Sequence, residues 1–248
     1  LLIGFKMFGL SKINIIIIGL SFFPFTPIAF SSPTTHVVPP LGLQLETRLQ
    51  CPSDMVQVND KVCIDKYEWP NKKGSYPLIG ASGLPEARDK KVNQVWDAKT
   101  LCNSVEKRVC WDTEWISACK GKNNAKYPWG NDVPTYIPGE FDSHLACNFG
   151  KQYVSGRDEY KIYRRDKKEM ARLDMREPSG SRQACKSAVG AYDMTGNVEE
   201  WVRCKNKTGW CLAGRYWAQL RECKRIVRGH APRWHYYETG FRCCKDIK

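Results

Sequence analysis

The sequence has no acidic residue before Glu46 and no cysteine before Cys51, and no two cysteines stand at CxxC spacing. The missing CxxC excludes a zinc ribbon and a thioredoxin-type redox motif. There is no Gly-rich phosphate loop and no Ser-His-Asp grouping, so neither a nucleotide-binding P-loop nor a hydrolase triad is indicated. No repeat of fixed period is visible, which argues against a solenoid or a propeller.

What is present begins with a segment unlike the rest. Lys6 and Lys12 precede an apolar run over 13–30, followed by small residues at Ala29-Phe30-Ser31. A basic region, an apolar region and a small-residue cleavage site read as a secretory signal over 1-31. A retained anchor is the alternative, but Pro24 and Pro27 shorten the uninterrupted helix below the ~20 apolar residues that a span needs. Residues 32-50 read as a linker, Pro-rich at its start.

All twelve cysteines lie beyond this segment. An even set scattered through an exported chain reads as a disulfide framework, so a secreted or periplasmic protein is expected, with no membrane association after cleavage. Formal net charge is +13. Much of it sits in a stretch at 151-182 that includes Arg164-Arg165 and Lys167-Lys168, read as a solvated basic insertion. Export removes the usual case for nucleic acid, which leaves a protein, a glycan or an anionic cell-envelope ligand as the expected partner.

The pattern between the cysteines is α+β with much irregular structure. Apolar residues at 55–58 and 62–64 flank Asn59-Asp60-Lys61, a hairpin signal between Cys51 and Cys63. Residues 72–93 read as a long loop. A helix is expected over 97–105, and a second from Asp112 or Thr113 as N-cap to Gly121 as the left-handed C′ residue. Short strands are expected at 216–217, 226–228 and 240–243, and an apolar stretch at 198–202. Nine Trp and eleven Tyr supply ring burial where long periodic elements are missing.

The motifs go further. Gly190-Ala191-Tyr192-Asp193-Met194-Thr195-Gly196-Asn197-Val198-Glu199-Glu200-Trp201 resembles the G-x-Y-D-M-x-G-N-V-W-E-W signature of the formylglycine-generating, or sulfatase-modifying-factor, family. Residues 108–115 (RVCWDTEW) are similar to its R-L-P-T-E-x-E-W, Tyr127-Pro128-Trp129-Gly130-Asn131 to its Y-P-W-G-N, and Gly240-Phe241-Arg242-Cys243 to its terminal G-F-R. Val95-Trp96-Asp97-Ala98 fits the preceding segment, and Cys63-Ile64-Asp65-Lys66-Tyr67-Glu68 the opening one. The motifs keep the family's order and place one domain at 51-248. The resemblance implies a compact α+β fold related to C-type lectins, with calcium bound.

One calcium site implied by the resemblance uses Asp193, the carbonyls of Gly196 and Val198, and Glu200, hard oxygen ligands of the kind Ca²⁺ takes. A second begins at Asn148 with the Phe149 carbonyl, and Cys185-Lys186-Ser187 offers it no acid. Active relatives hold Cu(I) between two cysteines, and here Cys223 falls on the second of them while Ala218 occupies the first. Arg215 replaces the family's Ser, and Glu199 the first Trp of W-E-W. A lone thiolate does not make a two-coordinate copper site, so copper is not expected. Cys223, His230 and His235 could form another metal trio, against the simpler reading of Cys223 in a disulfide and both histidines on a surface loop. Asn206-Lys207-Thr208 is a formal glycosylation sequon.

The resemblance pairs Cys102 with Cys243. In relatives the partner of Cys119 falls where this chain has Arg228, and Cys223 is the nearest substitute. The remaining pairs, Cys51–Cys63, Cys147–Cys185 and Cys204–Cys211, follow from proximity, and Cys110–Cys244 from elimination. The expected function is a non-catalytic or repurposed domain that binds calcium and acts through ligand or protein binding. The alternatives are an oxygen-dependent formylglycine-generating or related metal-dependent oxidase, and a surface protein that holds anionic polymer.

Overall fold

The structure is a computed structural model that describes residues 50–85, 96–132, 146–149, 166–218 and 220–247. The expected signal at 1-31, nearly all of the linker, and the first half of the basic stretch lie outside the described residues. Among the described residues, two small sheets and three short helices carry the fold. The first sheet has the order β1-β2-β8-β3, from β1 (Met55–Asn59), β2 (Val62–Asp65), β8 (Cys243–Asp246) and β3 (Arg108–Val109). The second has the order β6-β5-β4-β7, from β6 (Ile226–Val227), β5 (Trp210–Ala213), β4 (Glu199–Arg203) and β7 (Thr239–Phe241).

The expected hairpin forms as β1 and β2, with Asn59 Oδ1 accepting from the Lys61 N–H across the turn (2.9 Å). Helix α1 (Ala98–Ser104) is capped by Asp97, whose carboxylate accepts from the Thr100 N–H at 2.8 Å. Helix α2 (Asp112–Lys120) starts one turn position earlier than the sequence suggested. Trp111 is its N-cap, and Glu114 reaches back to accept from the Trp111 N–H (2.8 Å). Gly121 ends it at φ +60°, where a β-carbon would meet that of Ala188 at 2.6 Å.

Residues 216–217 are not a strand. Gly214 and Arg215 both take positive φ and break the chain after β5, so Tyr216 and Trp217 turn inward and pack with Leu173, Val198 and Tyr237. Strand β5 carried no clear periodic signal, because all four of its residues are buried. The described part of the basic stretch is not simply solvated. Helix α3 (Lys167–Leu173) buries Leu173 completely, and Ser179 is buried beyond it.

Six disulfides close Cys51–Cys63, Cys102–Cys243, Cys110–Cys244, Cys119–Cys223, Cys147–Cys185 and Cys204–Cys211, the same pairs set out above. Neighbouring Cys243 and Cys244 serve different partners because successive strand residues face opposite sides of the sheet. The set indicates an oxidising compartment, periplasmic or extracellular. Among the described residues no helix is long and apolar enough to cross a membrane.

Candidate functional site

The signature at 190–201 leads into the protein centre. Gly196 sits at φ +77°, and a β-carbon there would stand 2.2 Å from the Asn148 carbonyl oxygen, so only glycine lets the two segments touch. Asn197 donates its backbone N–H to that carbonyl at 2.8 Å. Its side-chain Nδ2 donates to Glu68 Oε2 at 2.7 Å, and its Oδ1 accepts from Asn148 Nδ2 at 2.9 Å. The 148–149 segment is thereby pinned against the signature turn.

Below the turn lies a buried charge cluster of Glu68, Asp193, Glu200 and Arg242. Arg242 Nη2 donates to Glu200 Oε1 at 2.6 Å and its Nε to Oε2 at 2.7 Å, while Trp115 Nε1 donates to the same Oε2 at 2.8 Å. Glu68 accepts from Ser179 Oγ (2.9 Å), and Asp193 Oδ2 from the Gly180 N–H (2.7 Å). Burial pushes the Asp193 carboxyl up to about 7 against the Gly180 hydrogen bond and Arg242. Burial, Asp193 and Glu200 likewise raise Glu68 well above the carboxylate range. Burial works to lower the Arg242 guanidinium, but Glu200, with Glu68 and Asp193, outweighs it and holds the charge firmly. The cluster is a structural keystone, with three carboxyl groups near one guanidinium and Glu200 paired to it directly.

This arrangement bears on calcium. The structure brings Asp193 and Glu200 into one cluster, but both Glu200 oxygens already accept from a cation, so its carboxylate does not fit a calcium ligand while Arg242 is in place. The Asn148 position differs. Its Oδ1 is buried with no hydrogen-bond partner, and its Nδ2 faces away to Met175 O and Asn197 Oδ1. A buried amide oxygen left without a donor is what a hard cation would satisfy, so this part of the donor set fits calcium. The nearby acids Asp174 and Glu177 come from beyond α3, not from the 185–187 segment, and they pair with Arg176 and Arg182.

Cys223 is bonded to Cys119, and Ala218 stands on the flank of the Tyr216, Trp217 and Tyr237 ring cluster. The Cys223, His230 and His235 trio does not assemble, since the sulfur is committed. His235 is buried, not on a surface loop, because its segment turns inward ahead of β7, and His230 stacks on Trp234 at 3.8 Å. Among the described residues no group of three or more His, Cys, Asp or Glu is placed to hold a metal ion. In the sequon, Asn206 Nδ2 donates to the Trp210 carbonyl (3.0 Å), which ties the amide into its turn.

A second polar cluster was not anticipated as a unit. Arg215 Nη1 donates to Glu199 Oε1 at 3.3 Å. Glu238, just before β7, offers its carbonyl to the Glu199 N–H at 2.9 Å. Burial raises the Glu199 carboxyl to about 7 despite Arg215. Burial and then Glu199 raise that of Glu238 to about 8, against its own N–H and Arg215. The departures of Glu199 and Arg215 from the family pattern were the signal in the sequence. Glu238 carried none, since only the parallel β4–β7 pairing brings it alongside.

The disulfide-stapled, two-sheet fold and the signature turn define a sulfatase-modifying-factor type of domain, with Cys223 bonded to Cys119. The chain belongs to the FGE-sulfatase family, described as a sulfatase-modifying factor enzyme 1-like domain, which matches residues 56–247. Among solved structures it is similar to CarF (17% identity, 75% of this chain and 87% of that chain, TM-score 0.45). It is also similar to PvdO from Pseudomonas aeruginosa (16%, 75% and 80%, TM-score 0.42). A further similarity, to Treponema denticola variable protein 1, has 19% identity over 56% of this chain and spans 47% of that protein (TM-score 0.34). No curated protein sequence matches the chain.

Proposed function

We propose that this domain is an exported, repurposed sulfatase-modifying-factor fold that acts by binding and does not form formylglycine. The Cys119–Cys223 disulfide carries the reading, because it takes the sulfur that relatives would give to copper. Ala218 leaves no second thiolate beside it, and a soft one-electron metal needs both. Two of the departures from the family pattern bring charge to this place, Glu199 buried and Arg215 half-buried, a change toward recognition rather than oxygen chemistry.

The expected result is that a sulfatase-type peptide incubated with the purified protein, copper and oxygen keeps its cysteine. Mass spectrometry that detects conversion to formylglycine above a no-protein control refutes the reading.

Calcium belongs to the same proposal as a stabiliser. Asn148 would hold it through Oδ1, with the Phe149 carbonyl beside it, and the ion would tie this segment to the signature turn. A ligand that binds only the folded state adds about 2.7 kcal/mol at a hundredfold excess over its dissociation constant. Chelation is therefore expected to lower the melting temperature by several degrees. Asn148→Ala should lose that response, whatever it does to baseline stability, whereas Glu200→Gln should keep it. A melting curve that ignores both chelator and added calcium removes calcium from the account.

A further inference from the structure

We infer that Glu199, Arg215 and Glu238 form a binding site for an α-amino group flanked by a carboxylate or carbonyl oxygen, as in a free amino acid or the N-terminus of a peptide. This deepens the binding role proposed above by naming the chemistry of its ligand.

Three chain segments converge here at one end of the second sheet. Glu199 opens β4 and pairs with Thr239, the residue after Glu238, while Arg215 follows β5 by two residues. Arg215 holds a left-handed backbone (φ +59°), which a non-glycine residue adopts at a cost and which here aims its side chain back at Glu199. The rings of Tyr216, Trp217 and Tyr237 form an apolar wall beside it.

Two buried side-chain atoms of this cluster have no hydrogen-bond partner: Glu238 Oε2 and Arg215 Nε. Glu238 as a whole is 7% exposed. Native proteins satisfy nearly all such atoms, so a pair of orphans at one place marks a missing guest. One orphan accepts and the other donates, and the guest must therefore do both. The charges narrow it further. Arg215 and Arg221 both act on the Glu199 carboxyl, whereas Glu238 has only its share of Arg215, so Glu238 is the acid left without a cation of its own when it ionises. An ammonium on Glu238 supplies that cation, and an oxygen acceptor next to it meets Arg215 Nε. A sugar or alcohol hydroxyl would fill the hydrogen bonds but not the charge. The Arg215 side chain is 22% exposed, against 2% for that of Glu199, so the site opens along the arginine.

Binding should be linked to protons through Glu238, which Glu199 and Arg215 face from the neighbouring segments. Its carboxyl titrates at about 8, and only the ionised form takes an ammonium. For a free amino acid, whose ammonium stays charged over this range, the apparent affinity follows the competent fraction and is expected to tighten about twentyfold between pH 6.5 and 8.5. A peptide α-amine titrates at about 8 itself and should show a smaller rise.

Titration calorimetry on the full chain near neutral pH tests this with three probes: L-alanine, trialanine amide and N-acetyl-L-alanine. L-alanine binding identifies a carboxylate neighbour, and trialanine amide binding a carbonyl neighbour; either supports the site. N-acetyl-L-alanine, which has no ammonium, should not bind. Glu238→Gln is expected to weaken binding at least tenfold and abolish its pH dependence. Arg215→Lys, at a partly exposed position that should fold normally, keeps the charge but loses Nε and should also weaken it. Failure of both free-amino probes to bind at millimolar concentration, equal binding of the acetylated one, or unchanged binding to both variants overturns the inference. A protein that binds no probe and makes no formylglycine refutes this site alone, whereas formylglycine formation refutes the proposed function itself.

Discussion

Arg242→Met is expected to destabilise the domain by about 3–5 kcal/mol. The guanidinium is fully buried and donates to both oxygens of a buried Glu200. Removing it strands Glu200 beside Asp193 and Glu68 in a region that excludes water. The cost comes from the uncompensated carboxylates left behind, more than from the attraction lost. The double variant Arg242→Met/Glu200→Gln should therefore recover a substantial part of the stability, although it removes both partners. Chemical denaturation of the two single variants and the double variant measures the coupling. If the losses simply add, the cluster is not the coupled unit described here.

Opening Cys102–Cys243 together with Cys110–Cys244 comes next. Cys102 and Cys243 are 141 residues apart in sequence, and closing a loop of that length restrains an otherwise unbridged chain by about 5 kcal/mol in the chain-entropy account. Cys110–Cys244 closes nearly the same loop, so the effect shows only when both bridges are opened. Opening both by Cys102→Ala, Cys110→Ala, Cys243→Ala and Cys244→Ala should lower the melting temperature by on the order of 10 °C, given that 1 kcal/mol moves a domain of this size by about 2–4 °C. Removing Cys204–Cys211, which spans only 7 residues, should cost clearly less. Equal losses from the two removals would show that loop length does not govern these bridges. Differential scanning calorimetry of both variants supplies the comparison.

Much of this architecture could be read from the residues, and the reasons are local. The β1–β2 hairpin announced itself through alternating apolar residues around Asn59-Asp60-Lys61. Helix α2 was bounded by an acid-rich start and Gly121. Motif order carried the remainder of the fold, because residues such as Gly196 and Arg242 answer to steric and charge requirements that leave few substitutes. What could not be read was long-range. Strand β5 is buried on both faces and so shows no alternation. Glu238 joins Glu199 only through a parallel pairing between segments forty residues apart in sequence. Glu200 looked like a calcium ligand because its sequence position matches one, and nothing local reveals that Arg242 folds back onto it. Around Asn148 the sequence pointed to the acid-free 185–187 segment, whereas the residues that the fold brings to its amide follow α3, with Met175 accepting from it and Asp174 and Glu177 on either side.

The position of β8 has a consequence for how such a chain comes into being. It lies between β2 and β3 in the first sheet and carries Cys243 and Cys244, so it completes the ladder and two of the bridges at once. A polypeptide that emerges N-terminus first holds the β1–β2 hairpin and β3 without the strand that joins them until nearly all of residues 51–246 have passed through the ribosome. Contacts between such distant segments form slowly, and the waiting edges of β2 and β3 can meanwhile capture the wrong partner. Such a chain is suited to crossing a membrane unfolded, and its bridges are best sealed only once the last strand has docked. Oxidation that runs ahead of synthesis would be expected to trap Cys102 and Cys110, the first of these thiols to emerge, in mispaired forms that an isomerase must undo.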